Sequence, residues 1–294
     1  MIRSVCVLAL SLLIGIPASM ARASELLDRG DWGTVDYLAL GDSLPFGDNS
    51  FVPYTVEARI DSSIFVGFGD YVGRWGFAGR YRNLACPGET TGSFIDNRAL
   101  SAGCIIYKEQ IGLKTAYKVS QLDATLELIR KNPQMRLISL TIGGNDNFLL
   151  IKQCEEENPN DQEGLARCVQ SRFQPLLDSI KKNLAFIFKS IRGAGFKGKL
   201  FLTNFYTKDY NDRAEVTSAI VGNLTYASTA IENQARPIDL FLPFGAAALW
   251  HQGIVCETGL LIKNVDGAEP ACDVHYSDVG ARLVAKIILD QSKF

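Results

Sequence analysis

The sequence is poor in histidine, with only His251 and His275 among its 294 residues. It also lacks a Cys-x-x-Cys pair, and the two histidines are far apart in the sequence. A zinc site needs three or four such ligands, so these absences exclude a zinc hydrolase, and we expect no metal and no cofactor. The same scarcity leaves two candidates for a base that works near neutral pH.

An excess of positive charge is also missing. Lysine and arginine together number 30 against 32 acidic residues, which gives a net charge of −2. Proteins that bind nucleic acid usually carry a basic stripe or patch. We therefore expect no nucleic-acid partner.

Long apolar runs are absent except at the N-terminus. Arg3 precedes an apolar core at residues 5–16, and Ala21-Arg22-Ala23 follows it as a small-x-small cleavage signature. This pattern predicts a signal peptide of residues 1–23, too short to span a bilayer, rather than an uncleaved anchor. The mature chain would begin at Ser24 with a net charge of −4, be secreted or periplasmic, and have no stable membrane anchor.

Linkers rich in proline, glycine or serine are absent, and so are internal repeats. The length fits one large domain or two small ones. Since no linker divides the chain, we predict a single domain of residues 24–294.

Six cysteines remain after Cys6 is removed with the N-terminal segment. They could pair in 15 ways, but their spacings of 18, 14 and 16 residues favour Cys86–Cys104, Cys154–Cys168 and Cys256–Cys272. Each short loop is worth about 3 kcal/mol in the chain-entropy model. The acidic residues 155–164 lack the spacing of an EF-hand, so we interpret them as a solvated disulfide loop rather than a calcium site.

Short apolar segments alternate with helical patterns along the chain. Ser120 and Asp123 resemble a capping box before one helix, Pro175 begins or kinks a second, and further helices are predicted at residues 215–234 and around Leu283. This alternation predicts an α/β fold with a mostly parallel sheet of about five strands, covered on both faces. The five candidate strands are residues 35–40, 81–85, 136–142, 199–205 and 238–242.

Polar or glycine-rich turns follow three of these strands, and in such a sheet they share one edge. They are Gly41-Asp42-Ser43, the turn around Gly88, and the run from Gly143 to Asp146. Taken singly, each is explained by turn formation or helix capping. Asp42 and Asp146 are interpreted in that way, as structural residues.

The sequence resembles the GDSL, or SGNH, hydrolases, particularly their secreted bacterial esterases and lipases. The resemblance rests on four blocks in order: GDSL with Ser43, "NLACPGETT" with Gly88, GGND with Asn145, and "DVHYSDVG" with His275. It implies a three-layer α/β/α, flavodoxin-like fold in which Ser43 attacks an ester carbonyl. It also implies an oxyanion hole made by the backbone N–H groups of Ser43 and Gly88 with the side chain of Asn145.

Chemistry favours the same assignments. A serine hydroxyl becomes a nucleophile only when a base takes its proton, and His275, just before the last helix, is the candidate. We expect it in a loop tied by Cys256–Cys272, and we interpret His251 as non-catalytic. Preorganised N–H donors stabilise the oxyanion that forms on attack.

The last block departs from the family's usual Asp-x-x-His followed by proline. Cys272 stands three residues before His275, the acid is Asp273, and Tyr276 replaces the proline. Asp273 is predicted to orient the imidazole as a triad acid does. Alternatively a backbone carbonyl does so, and the site is a Ser–His dyad.

The substrate is less constrained than the reaction. Phe46, Phe51, Tyr54 and Phe148 adjoin the motifs and either line an acyl pocket or belong to the core. We predict a small-molecule, lipid or glycan ester with a short to medium acyl chain. Alternatives are a phospholipase or a polysaccharide O-acetyl esterase on the same site, or an inactive secreted binding module.

Overall fold

The computed structural model describes residues 33–49, 65–264 and 272–293. The predicted signal peptide, Phe51 and Tyr54 lie outside the described residues.

Five short apolar segments form one parallel sheet with the order β2-β1-β3-β4-β5. This is the flavodoxin-like order, in which successive right-handed crossovers place helices on both faces. The prediction of a mostly parallel sheet of about five strands is confirmed. The strands are β1 Tyr37–Gly41, β2 Tyr81–Asn83, β3 Leu137–Thr141, β4 Lys199–Thr203 and β5 Arg236–Ile238.

The fifth strand lies earlier than predicted, and only Ile238 of the predicted segment belongs to it. Pro237 is accommodated because β5 is at the edge of the sheet, where a missing N–H breaks no ladder. The rest of the segment turns into a helix that begins at Phe241. The side chains of Asp239 and Asn204 accept hydrogen bonds from the N–H groups that start it.

Helices and a hairpin make up the remaining regular structure of the described residues. An antiparallel hairpin pairs β6 Leu261–Lys263 with β7 Cys272–Tyr276. A π-helical turn covers Tyr107–Ile111, and 3-10 turns cover Leu249–His251 and Val255–Thr258. The α-helices are α1 Ser43–Phe46, α2 Phe68–Gly76, α3 Thr91–Ile95, α4 Cys104–Ile106, α5 Gln121–Lys131, α6 Gly144–Glu157, α7 Gln162–Gly193, α8 Arg213–Glu232, α9 Phe241–Ala248 and α10 Asp278–Ser292.

The two faces of the sheet carry separate apolar cores because side chains alternate along a strand. Leu38 and Leu40 of β1 point to the face covered by α3, α5, α7 and α8. Tyr37 and Ala39 point to the face covered by α2, α9 and α10. The result is a three-layer α/β/α arrangement. In the described part of the chain, no helix combines the length and apolar character needed to cross a membrane.

Two helix predictions have different outcomes. Ser120 caps α5 by accepting a hydrogen bond from the N–H of Asp123 at 3.0 Å, as predicted. Pro175 does not begin its helix, because Asp161 already caps α7 by accepting from the N–H of Gly164 at 2.9 Å. Pro175 is exposed, so the carbonyl group that it leaves unpaired faces water.

The disulfides join the cysteines that are neighbours in sequence: Cys86 to Cys104, Cys154 to Cys168, and Cys256 to Cys272. The acidic residues 155–164 are not a loop as predicted. They form the end of α6, a short turn and the start of α7, and the disulfide from Cys154 to Cys168 joins these two helices.

Candidate active site

The site begins where β1 ends. Gly41 has φ +124, and a Cβ atom there would lie 1.8 Å from the carbonyl oxygen of Thr141 on β3. Only glycine therefore lets the two strands stay close up to their carboxyl ends. The N–H of Asp42 binds the same oxygen at 3.1 Å, which fixes the direction in which the chain leaves the sheet.

Ser43 follows as the first residue of α1 and is half-buried. The buried Asp42 caps this helix by accepting a hydrogen bond from the N–H of Leu44 at 3.1 Å, in keeping with the structural role expected for it. Burial raises the pKa of Asp42 to about 7, although the Leu44 bond and nearby His275 oppose the shift. Within the described residues, the N–H of Ser43 makes no hydrogen bond.

Gly88 lies in a tight turn with φ +80, and a Cβ atom there would come within 2.6 Å of the backbone of Ala102 and Gly103. Its N–H also has no hydrogen-bond partner among the residues described. The turn is anchored because the N–H of Cys86 binds the carbonyl oxygen of Gly41 at 2.9 Å. The disulfide from Cys86 to Cys104 ties the other side of the turn.

Asn145 stands in the first turn of α6, and its Nδ2 donates to the carbonyl oxygen of Glu89 at 3.0 Å. Its neighbour Asp146 accepts two bonds from Thr91, from the N–H at 2.9 Å and from the hydroxyl at 2.6 Å. Burial raises the pKa of Asp146, while the Thr91 bonds oppose the shift. These contacts lock α6 to the turn that carries Gly88.

A buried network that we did not predict supports these turns from behind. Gln121 accepts from the N–H of Gly41 at 2.7 Å and donates to its carbonyl oxygen and to Glu89 Oε2, both at 3.0 Å. Glu89 is fully buried, and burial raises the pKa of its carboxyl group. The local sequence gave no signal of this role, because Gln121 is simply the first residue of an amphipathic helix.

His275 lies on strand β7 rather than in the loop that we predicted. The disulfide from Cys256 to Cys272 and pairing with β6 hold this strand. Nδ1 of His275 lies 3.0 Å from Oδ2 of Asp273, as an ion-pair contact rather than a linear hydrogen bond. The acid two residues before the histidine thus reaches the ring nitrogen.

The other ring nitrogen, Nε2, faces the segment of Ser43. Helix α1 contacts β7. Asp48, whose N–H binds the carbonyl oxygen of Ser43 at 3.0 Å, places its Oδ2 4.0 Å from Nε2. Asp48 was missed at the sequence level because it lies outside the four motif blocks.

The charge on His275 is favoured by its surroundings. Burial lowers the pKa of the imidazole, but a stronger combined effect of Asp273, Asp48 and Asp42 raises it above the ordinary value. A neutral ring that readily accepts a proton suits a general base.

The three other described candidates differ in their surroundings. His251 is exposed on a 3-10 turn. Phe46 is fully buried against Phe65 and Tyr107 and is a core residue. Phe148 is 56% exposed, one helical turn after Asn145, so it is available to contact a substrate.

A separate apolar groove, lined by Trp75, Leu283 and Leu289, lies between α2 and α10. It belongs to the opposite edge of the sheet, because the end of α10 is held there by Lys199, the first residue of β4. Among the described residues, the side chains of Cys86, Glu89 and Cys104 lie close enough together to resemble a set of metal ligands. The sulfurs of the two cysteines are, however, joined in a disulfide.

No protein-family model and no curated protein matches the chain. Several solved structures, however, are similar to it. A phospholipase A1 from Streptomyces albidoflavus NA297 is similar with a TM-score of 0.53 and 16% identity, over 89% of this chain and 100% of that chain. An extracellular lipase from Streptomyces rimosus has a TM-score of 0.54 and 17% identity over the same shares. A protein described as a GDSL-like lipase from Parabacteroides merdae has a TM-score of 0.52 and 12% identity, over 88% of this chain and 98% of that chain.

At these identities the likeness establishes a shared architecture over nearly the whole length of each relative. The parallel order β2-β1-β3-β4-β5 and the helices on both faces agree with it. The chain therefore shares the three-layer α/β/α fold of these structures, which is the fold predicted from the sequence.

Proposed function

We propose that this protein is a serine ester hydrolase, exported by its N-terminal signal peptide to the periplasm or the medium. The observation that carries the proposal is the position of His275. Asp273 holds one ring nitrogen, while the other faces the turn that begins with Ser43. A serine hydroxyl that reached this nitrogen would complete a catalytic triad, in which a carboxylate orients the base.

In the proposed reaction, Ser43 Oγ attacks the ester carbonyl carbon while its proton passes to Nε2 of His275. The bond to the leaving alcohol then breaks, and Nε2 returns the proton to the leaving oxygen. Water repeats the same two steps on the acyl-enzyme and releases the acid and free Ser43. Asp273 stabilises the imidazolium that forms in each half-reaction.

The oxyanion would be bound by three donors. The N–H groups of Ser43 and Gly88 lack partners within the described residues, and the amide of Asn145 lies beside the Gly88 turn. One donor of this kind is commonly worth about 3 kcal/mol of transition-state stabilisation.

The proposed substrate is a carboxylic ester of a small molecule, lipid or glycan with a short to medium acyl chain. The exposed ring of Phe148 beside Asn145 supports an apolar contact with the acyl group. Phospholipids and acetylated polysaccharides are the alternatives to compare in the same assay, since the relatives include a phospholipase A1.

The decisive experiment uses the mature chain and p-nitrophenyl esters of graded length, with Ser43→Ala as the inactive control. His275→Ala and His251→Ala form a matched pair, and only the first should abolish turnover. Labelling by a fluorophosphonate should require both Ser43 and His275. Unchanged hydrolysis in Ser43→Ala, or no hydrolysis and no labelling in the unmodified protein, would instead support an inactive binding module.

A further inference from the structure

We propose that Asp48 is a positioning residue for the proposed general base, acting on His275 from the side of Nε2, opposite Asp273. This inference rests on the proposed function, in which Nε2 takes and returns the proton of Ser43. It assigns a second carboxylate to the imidazole, outside the four motif blocks.

The carboxylate of Asp48 is held in place from two directions. Its Oδ1 accepts a hydrogen bond from the hydroxyl of Tyr107 at 2.9 Å. Tyr107 is itself buried, and its ring packs edge-to-face against that of Phe46, with 5.6 Å between the ring centres. The N–H of Asp48 binds the carbonyl oxygen of Ser43, so the carboxylate and the nucleophile are fixed to one turn.

The distance between Asp48 Oδ2 and Nε2, 4.0 Å, is informative. It exceeds the reach of a hydrogen bond, so the lone pair of Nε2 stays available for the proton of Ser43. It is still short enough for the carboxylate to stabilise a positive charge on the ring. Only 11% of the Asp48 side chain and 16% of the His275 side chain are exposed, so water screens the attraction weakly. Asp48 thus favours the imidazolium without competing for the proton.

The other charged and titratable groups around β7 do not replace Asp48. Asp273 acts at the opposite nitrogen, and Asp42 is already engaged as the cap of α1. Other such groups lie on β7 and on the elements packed against it. Tyr206 donates through its hydroxyl to the carbonyl oxygen of Val274, and Lys263 of β6 is paired with Glu257. Asp278 of α10 is bonded to Tyr71 and Arg282, and Tyr276 is buried on β7 itself.

The first test measures the imidazole directly, whether or not the protein is an enzyme. With two histidines in the chain, NMR of protein labelled in the imidazole rings gives two titration curves, assigned with His251→Gln. Asp48→Asn should lower the pKa of His275 by about one unit and leave that of His251 unchanged. Asp290→Asn, which removes an exposed carboxylate from α10, is the control for net charge and should shift neither.

The second test uses catalysis. In Asp48→Asn, the acidic limb of the pH profile of kcat/KM should move to lower pH by the same amount. The plateau of kcat should fall about 10-fold with little change in KM, because the imidazolium of the transition state loses a partner. Tyr107→Phe should act in the same direction and less strongly, since it frees the carboxylate without removing it.

The outcomes separate the two proposals. An unshifted His275 curve, or a loss of rate with an unmoved pH profile, overturns the role of Asp48 even if the protein is an esterase. If the unmodified protein hydrolyses no ester, the proposed function fails and this role fails with it, even where the NMR shift is present. A shifted curve together with a shifted profile supports both.

Discussion

The side-chain amide of Asn145 donates to the backbone carbonyl oxygen of Glu89 at 3.0 Å. These residues are 56 positions apart, and the bond joins the start of α6 to the turn that holds Gly88. It uses one of the two amide hydrogens of Asn145 and leaves the other for a ligand. An amide fixed in this way is a preorganised donor.

Replacing Asn145 with alanine should lower kcat about 10²- to 10³-fold with a small change in KM, because one donor to the oxyanion is lost. Asn145→Asp keeps the size but offers an acceptor in place of the donor, and should be at least as impaired. Asn147→Ala, two residues later on the same helix, is the matched control. Steady-state kinetics on a p-nitrophenyl ester would contradict the assignment if kcat of Asn145→Ala stayed within threefold of the unmodified protein.

Removing the acid at Asp273 should lower kcat by about 10²- to 10⁴-fold, while His275→Ala nearly abolishes turnover. The loss of a neighbouring negative charge also lowers the pKa of His275, so the remaining activity of Asp273→Asn should extend to lower pH. The measurement is the pH dependence of kcat/KM. Near-normal turnover in Asp273→Ala would establish a Ser–His dyad instead.

Two of the disulfides should differ in their effect on activity. Replacing both Cys256 and Cys272 with serine should reduce stability by about 3 kcal/mol and also reduce kcat, because this bridge holds the strand of His275. The pair Cys154 and Cys168 closes a loop of similar length away from the site, so its removal should cost stability alone. Urea unfolding and kcat, measured where both variants are folded, test this contrast. Equal losses of kcat would count against it.

Asp42→Asn should stabilise the protein at pH 8 by on the order of 2 kcal/mol and have little effect near pH 4. The pKa of Asp42 is about 7 in the folded chain and near 3.9 when unfolded, so the fold binds this proton more tightly. Stability is therefore lost as pH rises between these values. Asparagine keeps an acceptor for the N–H of Leu44 and removes the buried charge.

Urea unfolding at several pH values measures this effect. Asp212→Asn, at the exposed cap of α8, is the control and should show no gain that depends on pH. A gain for Asp42→Asn that was equal at pH 4 and pH 8 would show that charge burial is not its cause.

Local sequence signals were sufficient for most of the fold. Apolar runs such as the one ending at Gly41 predict buried strands because only the core of a sheet tolerates them. The strand at Arg236–Ile238 was misplaced because Pro237 reads as a boundary, although an edge strand accepts proline. Likewise Pro175 suggested a helix start that Asp161 had already provided.

The residues of the candidate site likewise fall into those that the sequence predicts and those that it does not. Ser43, Gly88, Asn145 and His275 stand out because they fall in motif blocks with restricted spacing. Gln121, Glu89 and Asp48 do not stand out, because an ordinary glutamine or acid acquires a role only from the atoms packed around it. Their partners lie in other segments, as Gly41 does for Gln121.

The sequence by itself determined the parallel sheet, the polar residues at its carboxyl edge and the order of the motifs, since all of these follow from hydrophobic period and local turn chemistry. Only the tertiary structure decided that His275 lies on a strand between two carboxylates, and that the buried amide of Gln121 ties the end of β1 to Glu89. Those relationships depend on distances between segments far apart in the chain. They are set by close packing of the whole core and not by any local pattern.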